Sequence, residues 1–224
     1  NNLTNFTLGT NTGASTDDPT FNGNAGELTN AEYFSFDGGD FFEYVSSNVA
    51  WIDNLHKNNA DFTMIFWYYH PNDGGEYLAG TTTLTGTSTG FGFSGGGVDL
   101  PRFLVDKSGG GWALDTGAPD TAFNTDAWNF FGLTIDEATG VGGGFFYLNG
   151  DYNQVSGVDT FDATYSSPDA GAADLTLTIG KQNINYLSNT ARLAGVMIWE
   201  GRSLTKAQMD DIYARTRGKF TGGN

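Results

Sequence analysis

The sequence predicts an all-β protein, a two-sheet antiparallel sandwich with one short C-terminal helix. Three observations support this fold class. Aromatic residues make up 15 % of the 224 residues, and large flat side chains favour pleated strands. Gly occupies 33 positions, as expected for many tight turns. Short segments of alternating apolar and polar residues also follow one another along most of the chain, with Gly or Asn-Gly between them.

The strand candidates are clearest from Tyr33 onward. Phe62 to Tyr69 is apolar on both alternating faces, which predicts a central strand covered on both sides. Trp128 to Asp136 alternates, and Phe145 to Leu148 meets the hairpin dipeptide Asn149-Gly150. The other predicted strands are Tyr33 to Phe36, Phe41 to Val45, Glu76 to Thr81, Gly90 to Ser94, Arg102 to Asp106, Trp112 to Asp115, Leu175 to Ile179 and Leu193 to Glu200.

A single helix is predicted after the last strand. Thr205 and Gln208 have the spacing of a capping box, in which each side chain caps the backbone of the other. Leu204 and Met209 have the spacing of a hydrophobic staple, and Gly218 is a natural end of the helix. We therefore expect this helix to pack on the sandwich in a structural role.

The chain is predicted to form one domain over residues 1–224. No linker interrupts it, and residues 1–30 form a polar, Asn-, Thr- and Gly-rich segment that we expect to be an edge strand and a loop. The chain begins at Asn1 without a Met. We therefore expect a processed protein or a piece of a longer one, within a multidomain or oligomeric assembly.

Charge and composition exclude several classes of protein. Ten Lys and Arg stand against 26 Asp and Glu, a formal net charge of −16, so we expect neither nucleic acid nor an anionic membrane surface as partner. The absence of Cys excludes disulfides, thiolate catalysis and Cys-based zinc sites. No apolar run approaches the roughly 20 residues that span a bilayer, so we expect no membrane insertion.

Seven segments occur in an informative order: Tyr33 to Gly38, Phe62 to Trp67, Trp128 to Leu133, Phe146 to Gly150, Leu177 to Gly180, Leu193 to Trp199 and Leu204 to Tyr213. This ordered set resembles the laminin G-like and pentraxin-like branch of the concanavalin A-like lectin/glucanase superfamily, from about Tyr33 to about Arg217. The resemblance implies a jelly-roll sandwich of two antiparallel sheets, one of them concave. It does not imply one function, because function resides in sites carried by the fold.

The residues argue against an enzyme. Retaining glycanases of this superfamily carry two Glu flanking an Asp at alternate positions of one strand, whereas none of the six Glu here lies two or four residues from another. Asp136 and Glu137 are adjacent, would point to opposite faces of a strand, and are expected in a loop that runs to Gly144. His70, just before Pro71, is expected to be an ordinary strand-end residue.

Calcium is the cofactor that the resemblance implies. Pentraxin-like members hold it with groups in the loop after the Phe-Trp strand and just after the Ile-Gly step; the corresponding residues here are Asn72, Asp73, Gln182, Asn183 and Asn185. Oxygen ligands suit this hard cation, but a single carboxylate predicts weak binding. The alternative is that these are ordinary solvated loop residues. A second arrangement would use Asp17, Asp18, Asp37 and Asp40.

Glycan binding on this fold needs an exposed aromatic ring with polar groups beside it. The aromatic candidates outside the core strands are Trp51, Tyr77, Trp112, Tyr152 and Tyr186. Tyr186, in the polar loop after Gly180, is the leading ligand-binding candidate, and Trp112 is the second. The alternative for each is plain packing, because aromatic side chains mostly bury area.

The sequence is therefore compatible with two functions. The first is a non-catalytic module that recognises glycan on a cell or matrix surface, with or without calcium. The second is a structural or host-attachment module of a phage or virion surface assembly, in which protein contacts dominate. Either function predicts an extracellular, cell-surface or virion-surface location.

Overall fold

The computed structural model of the chain describes residues 6–8, 19–23, 32–44, 49–71, 77–96, 100–117, 122–153 and 160–220. These residues form antiparallel sheets packed as a sandwich, with one short C-terminal helix, so the predicted fold class is confirmed.

The described part of the chain contains seventeen short strands and two α-helices. The strands are β1 (Phe6–Leu8), β2 (Thr20–Asn22), β3 (Tyr33–Ser35), β4 (Phe42–Tyr44), β5 (Asp61–His70), β6 (Tyr77–Gly80), β7 (Gly90–Gly96), β8 (Leu100–Asp106), β9 (Trp112–Asp115), β10 (Ala127–Asp136), β11 (Val141–Leu148), β12 (Asp151–Asn153), β13 (Phe161–Asp162), β14 (Thr178–Ile179), β15 (Lys181–Gln182), β16 (Asn185–Tyr186) and β17 (Arg192–Glu200). The helices are α1 (Ala50–Asp53) and α2 (Lys206–Thr216), with 3-10 turns at Glu137–Thr139 and Arg217–Lys219.

The strands form two large sheets and one small hairpin. The seven-stranded sheet has the order β1-β4-β14-β6-β7-β8-β9, and the eight-stranded sheet has the order β12-β11-β10-β5-β17-β3-β2, with β13 beside β11. β15 and β16 form the separate hairpin. Among the described strands, seven of the fourteen pairings join consecutive strands, and the others include the pairings of β5 with β10 and with β17.

Strand β5 is the middle of the eight-stranded sheet and is buried on both faces. It pairs with β10 on one side and β17 on the other. Its inward side chains, all without solvent exposure, are Phe62, Met64, Phe66 and Tyr68. Its outward Ile65 and Trp67 are equally buried, in a second cluster beneath the C-terminal helix. The central strand predicted from the two-sided apolar pattern is therefore confirmed.

Helix α2 begins with the predicted capping box and packs on the outer face of the eight-stranded sheet. The backbone N–H of Thr205 donates to Oε1 of Gln208, while the Thr205 side chain accepts from the Gln208 backbone. Met209 is fully buried over Gly132, where a Cβ atom would lie 2.1 Å from the methionine methyl carbon. Gly132 therefore provides the space in which the helix docks.

The structure differs from several local predictions. It has a second helix, α1, where a single helix is predicted. The loop expected from Asp136 to Gly144 contains a 3-10 turn and then the start of β11, whose Gly144 pairs with β10 and β13. The strand expected from Leu175 is confined to β14, since the backbone N–H of Leu175 donates instead to the carbonyl of Thr81. Within the described ranges, no helix is both long enough and apolar enough to cross a membrane.

His56, in the loop after α1, is a buried titratable group. Its side chain has no solvent exposure, and Nε2 lies 3.1 Å from the carbonyl oxygen of Gly171. Nδ1 has no hydrogen-bond partner among the described residues. Burial lowers the pKa of His56 from its ordinary value of 6.5, although Gly171 and the Asp53 carboxylate act in the opposite direction.

This burial should make the fold sensitive to mild acid. The unfolded chain protonates His56 near its ordinary pKa, whereas the folded protein keeps it neutral to a lower pH, so stability falls as pH decreases through that window. We expect the Tm from scanning calorimetry to fall more steeply between about pH 7 and pH 5 for the natural protein than for His56→Gln. The glutamine keeps a donor for Gly171 but does not titrate. Equal slopes would contradict the prediction.

Candidate functional site

A row of side chains crosses the outer face of the eight-stranded sheet, at the end that α2 leaves open. Strand pairing places Thr20 opposite Ser35, Ser35 opposite Arg192, Arg192 opposite Tyr69, and Tyr69 opposite Trp128. Directly paired residues in antiparallel strands project from the same face. The row therefore brings together residues from five strands, none of them adjacent in sequence.

A β-bulge in β17 directs Arg192 into this row. Val196 and Ile198 face the core, and unbroken alternation would turn Arg192, six residues before Ile198, to the same side. Leu193 pairs with Tyr68, however, while Gly195 pairs with the next residue of β5, so Ala194 is an extra residue. The bulge reverses the alternation, placing Leu193 in the core and Arg192 outside.

Beside this row lies a pocket of about 310 Å³. Its lining combines one arginine, two aspartates, an amide, hydroxyl groups and aromatic rings. The lining residues are Thr20, Tyr33, Ser35, Phe36, Asp37, Asp40, Asn189, Thr190 and Arg192. Thr20, Asp37, Asn189 and Thr190 are exposed, so the pocket opens to solvent.

Arg192 is held between two tyrosine rings. Its guanidinium carbon lies 4.9 Å from the ring centre of Tyr33 and 4.5 Å from that of Tyr69, within the range of cation–π attraction. Trp128 contacts the edges of both rings at centre distances of 5.9 and 5.8 Å. All four side chains are half-buried. Within the described part of the chain no carboxylate forms an ion pair with Arg192.

Two packed turns form a second wall of the pocket, which we call the aspartate wall. The backbone N–H of Asp37 donates to the carboxylate of Asp40, and that of Gly39 donates to Oδ1 of Asp37. Asp40 is only 3 % exposed, whereas Asp37 is exposed. Thr190, which has a φ of +77°, donates its N–H to the carbonyl of Phe36. Left-handed backbone is unfavourable for a β-branched residue, so the surrounding hydrogen bonds hold this wall in its shape.

The predicted ligand-binding aromatics lie elsewhere. Tyr186 is on the β15–β16 hairpin, half-buried, with its ring centre 6.1 Å from that of buried Phe41. Lys181 lies 5.1 Å from the Tyr186 ring centre, which covers part of the ring. Trp112 is half-buried at the start of β9, an edge strand of the other sheet. The structure does not bring these two residues together with the pocket lining, and their role in binding stays a prediction.

The predicted calcium ligands are described only in part. Asn72 and Asp73 lie outside the described residues, as do Asp17 and Asp18. Gln182 is 1 % exposed, and its side-chain NH2 group donates to the carbonyl of Thr82. Its Oε1 has no hydrogen-bond partner among the described residues.

The two remaining predicted ligands follow on the same hairpin. Asn183 donates its amide to Thr83, and Asn185 is exposed. Amide oxygens are therefore available here, but no three His, Asp or Glu side chains converge as a metal site among the described residues.

The acidic and histidine residues considered for catalysis form hydrogen bonds within the fold. Oε2 of Glu137 accepts from the N–H of Asn59 and Oε1 accepts from that of Tyr165. Asp136 accepts from Thr139 at the 3-10 turn. His70 is fully buried, with Nδ1 3.1 Å from the hydroxyl of Tyr68.

Comparison with known proteins shows the fold and leaves the family open. Neither a protein-family model nor the sequence of a curated protein matches this chain. The binding domain of botulinum neurotoxin DC, in complex with rat synaptotagmin II, is similar with a TM-score of 0.59 at 10 % identity, covering 94 % of this chain and 46 % of that one.

Two further structures are similar. Botulinum neurotoxin type C, which depends on interaction with two ganglioside molecules to enter cells, has a TM-score of 0.59 at 11 % identity, over 94 % of this chain and 46 % of that one. Trypanosoma rangeli sialidase in complex with sialic acid has a TM-score of 0.52 at 15 % identity, over 89 % and 30 %. This chain thus spans less than half of each of these chains, and what it shares with them is the β-sandwich fold.

The bulge in β17 gives a direct test of how the pocket is built. Deleting Ala194 closes the bulge and joins Leu193 to Gly195 opposite Tyr68 and Trp67, which keeps Arg192 on the outer face. We expect this deletion to change the free energy of unfolding in urea by only about 1 kcal/mol. Inserting one Ala after Ala194 shifts the alternation by one residue and turns Arg192 towards the core, at about 3–5 kcal/mol for an uncompensated buried charge. If the two variants are equally stable, the count of residues at the bulge does not set the direction of Arg192.

Proposed function

We propose that this chain is a non-catalytic module that binds glycan in the pocket lined by Tyr33 and Arg192. The observation that carries the proposal is the composition of that pocket: a half-buried aromatic ring, a guanidinium group, and carboxylate, amide and hydroxyl groups around one cavity open to solvent. Glycan sites combine an aromatic surface with a few well-placed polar groups.

The pocket matches the two kinds of surface that a sugar presents. The C–H face of a pyranose ring packs on the partly exposed ring of Tyr33. Hydroxyl groups of the sugar donate to Asp37 and accept from Arg192 or from Thr190. Ser35 is already engaged, since its hydroxyl accepts from Asn22 at 3.2 Å and donates to the Thr20 carbonyl at 3.3 Å.

The residues of the pocket also favour binding without catalysis. Its lining contains no Glu and no His. Its two aspartates accept hydrogen bonds from backbone N–H groups of the same turn. Both carboxylates thus act as hydrogen-bond acceptors that hold the turn in place.

The similar structures support the proposal that the ligand is a glycan. One interacts with gangliosides and another was solved with sialic acid, although at 11 % and 15 % identity they transfer the fold alone. Membership of the laminin G-like branch and an extracellular, cell-surface or virion-surface location belong to the same proposal.

Glycan binding and two tyrosine variants test the site. We expect a glycan array to return at least one binding saccharide, and Tyr33→Ala to weaken its affinity at least tenfold, about 1.4 kcal/mol, in calorimetric titration. Tyr33→Phe should retain most of the affinity because it keeps the ring. Tyr186→Ala is the matched control and should bind like the natural protein.

Other outcomes of this experiment would redirect the proposal. A loss confined to Tyr186→Ala would move the site to the β15–β16 hairpin. Absence of any glycan ligand would contradict the proposal and favour the alternative, a structural or host-attachment module of a phage or virion surface assembly.

Calcium is proposed only as a weak ligand. The candidate set contains one carboxylate, Asp73, and the amides of Asn72, Gln182, Asn183 and Asn185, and so few charged oxygens suit only millimolar affinity. We expect the Tm to rise only at millimolar calcium and to return on adding EGTA, and Asp73→Asn to abolish the rise. An unchanged Tm at about 10 mM calcium, an excess over the millimolar affinity expected of such sites, would remove calcium from the proposal.

A further inference from the structure

We propose that the preferred ligand is an acidic sugar, whose ring carboxylate is bound by Arg192 while its hydroxyl groups are bound by the aspartate wall. This inference rests on the proposed glycan-binding function and specifies its ligand class. Two observations support it: the surroundings of the Arg192 guanidinium, and the aspartates that line the same pocket.

Arg192 is held firmly between two neighbouring strands of the eight-stranded sheet. It begins β17 and pairs with both Ser35 of β3 and Tyr69 of β5, so its backbone is fixed from two sides. Its side chain is half-buried between the rings of Tyr33 and Tyr69. Partial burial removes water from the guanidinium, and the aromatic faces replace only part of the lost hydration.

Arg192 forms no ion pair among the described residues, unlike two other arginines of the chain. Arg102 pairs with Asp115 on the seven-stranded sheet, and Arg215 pairs with Asp211 on α2. The chain has 26 acidic residues against 10 basic ones, so partners are abundant. A held cation that lines an open pocket without such an ion pair is suited to an anion from outside.

The guanidinium group favours a carboxylate over a single hydroxyl. Its planar fork of N–H donors matches the two oxygens of a carboxylate, and such charge-assisted pairs are stronger than neutral hydrogen bonds. Contact with two rings restricts the motion of the guanidinium, so less freedom is lost when the ligand binds. Trp128 holds both rings by edge contacts and thereby positions Arg192.

The aspartate wall selects against a simple anion or a polyanion. Asp37 and Asp40 are acceptors of hydrogen bonds, and two negative charges repel any second anionic group placed beside them. A net charge of −16 repels a densely sulfated chain at longer range. The fitting ligand thus has one carboxylate towards Arg192 and hydroxyl groups towards the aspartates, which is the chemistry of a hexuronic or a sialic acid.

The test compares each acid with its own methyl ester on the natural protein. We expect glucuronic acid or N-acetylneuraminic acid, as a terminal residue of a short oligosaccharide, to bind at least tenfold tighter than its methyl ester. The acid that shows the larger acid-to-ester ratio of affinities identifies the class of sugar that the pocket prefers. Arg192→Gln should reduce the ratio to near one, because the variant no longer distinguishes the charged carboxylate from its ester. Arg102→Gln, which removes a paired arginine of the other sheet, is the matched control and should keep the full ratio.

The outcomes separate this inference from the proposed function. Equal affinity of the natural protein for acid and ester overturns the acidic-sugar inference while leaving glycan binding intact. Failure of every saccharide to bind overturns both. The acid-to-ester ratio in the natural protein needs no variant, so misfolding of Arg192→Gln would not leave the inference undecided, and a ratio kept by a folded Arg192→Gln would overturn it.

Discussion

The two-sided burial of β5 is the constraint on which the rest of the structure depends. Its inward side chains fill the space between the sheets, so the seven-stranded sheet must lie against them. Its outward Ile65 and Trp67 would be exposed without a cover, which requires α2 and Phe220 to pack over them; Phe220 stacks on Trp67 at a centre distance of 4.3 Å. Apolar burial on this scale is the dominant stabilising contribution in folding. The same strand, through Tyr69, also supplies one wall of the clamp around Arg192.

Helix α2 and the pocket divide one sheet face between them. Phe220 covers Trp67 and reaches Trp128 at 5.2 Å, and from there outward the face becomes polar. Two outward positions of the seven-stranded sheet are covered by the chain itself, because Gln182 packs against Gly80 and Leu84 against Gly92, where a Cβ atom would lie 2.4 and 2.6 Å from them. The end of the eight-stranded sheet around Arg192 instead carries a pocket that opens to solvent.

Much of the fold could be predicted from the sequence, but the site could not. Strand positions follow from alternation, the hairpin turn from Asn149-Gly150, and the helix start from Thr205 and Gln208, because each signal lies within a few residues. The pairing of β3 with β17 and of β17 with β5 joins residues far apart in the chain, and no local pattern specifies it. The bulge at Ala194 also reverses the face of Arg192, so simple alternation assigns that side chain to the core. Aromatic residues outside the core strands were therefore the natural candidates, although the half-buried Tyr33 of strand β3 lines the pocket.

The pocket exists only while distant strands are paired, and this has a consequence for the edge of the sheet. Thr20 belongs to β2, a three-residue strand that pairs, among the described strands, only with β3. Such edges open locally far more often than the core. A ligand that spans from Thr20 to Arg192 binds only the closed arrangement. At a hundredfold excess over Kd its binding adds about 2.7 kcal/mol to that arrangement. Occupancy of the pocket would therefore suppress hydrogen exchange at the β2 edge, which couples ligand recognition to the local order of a strand that the core does not reach.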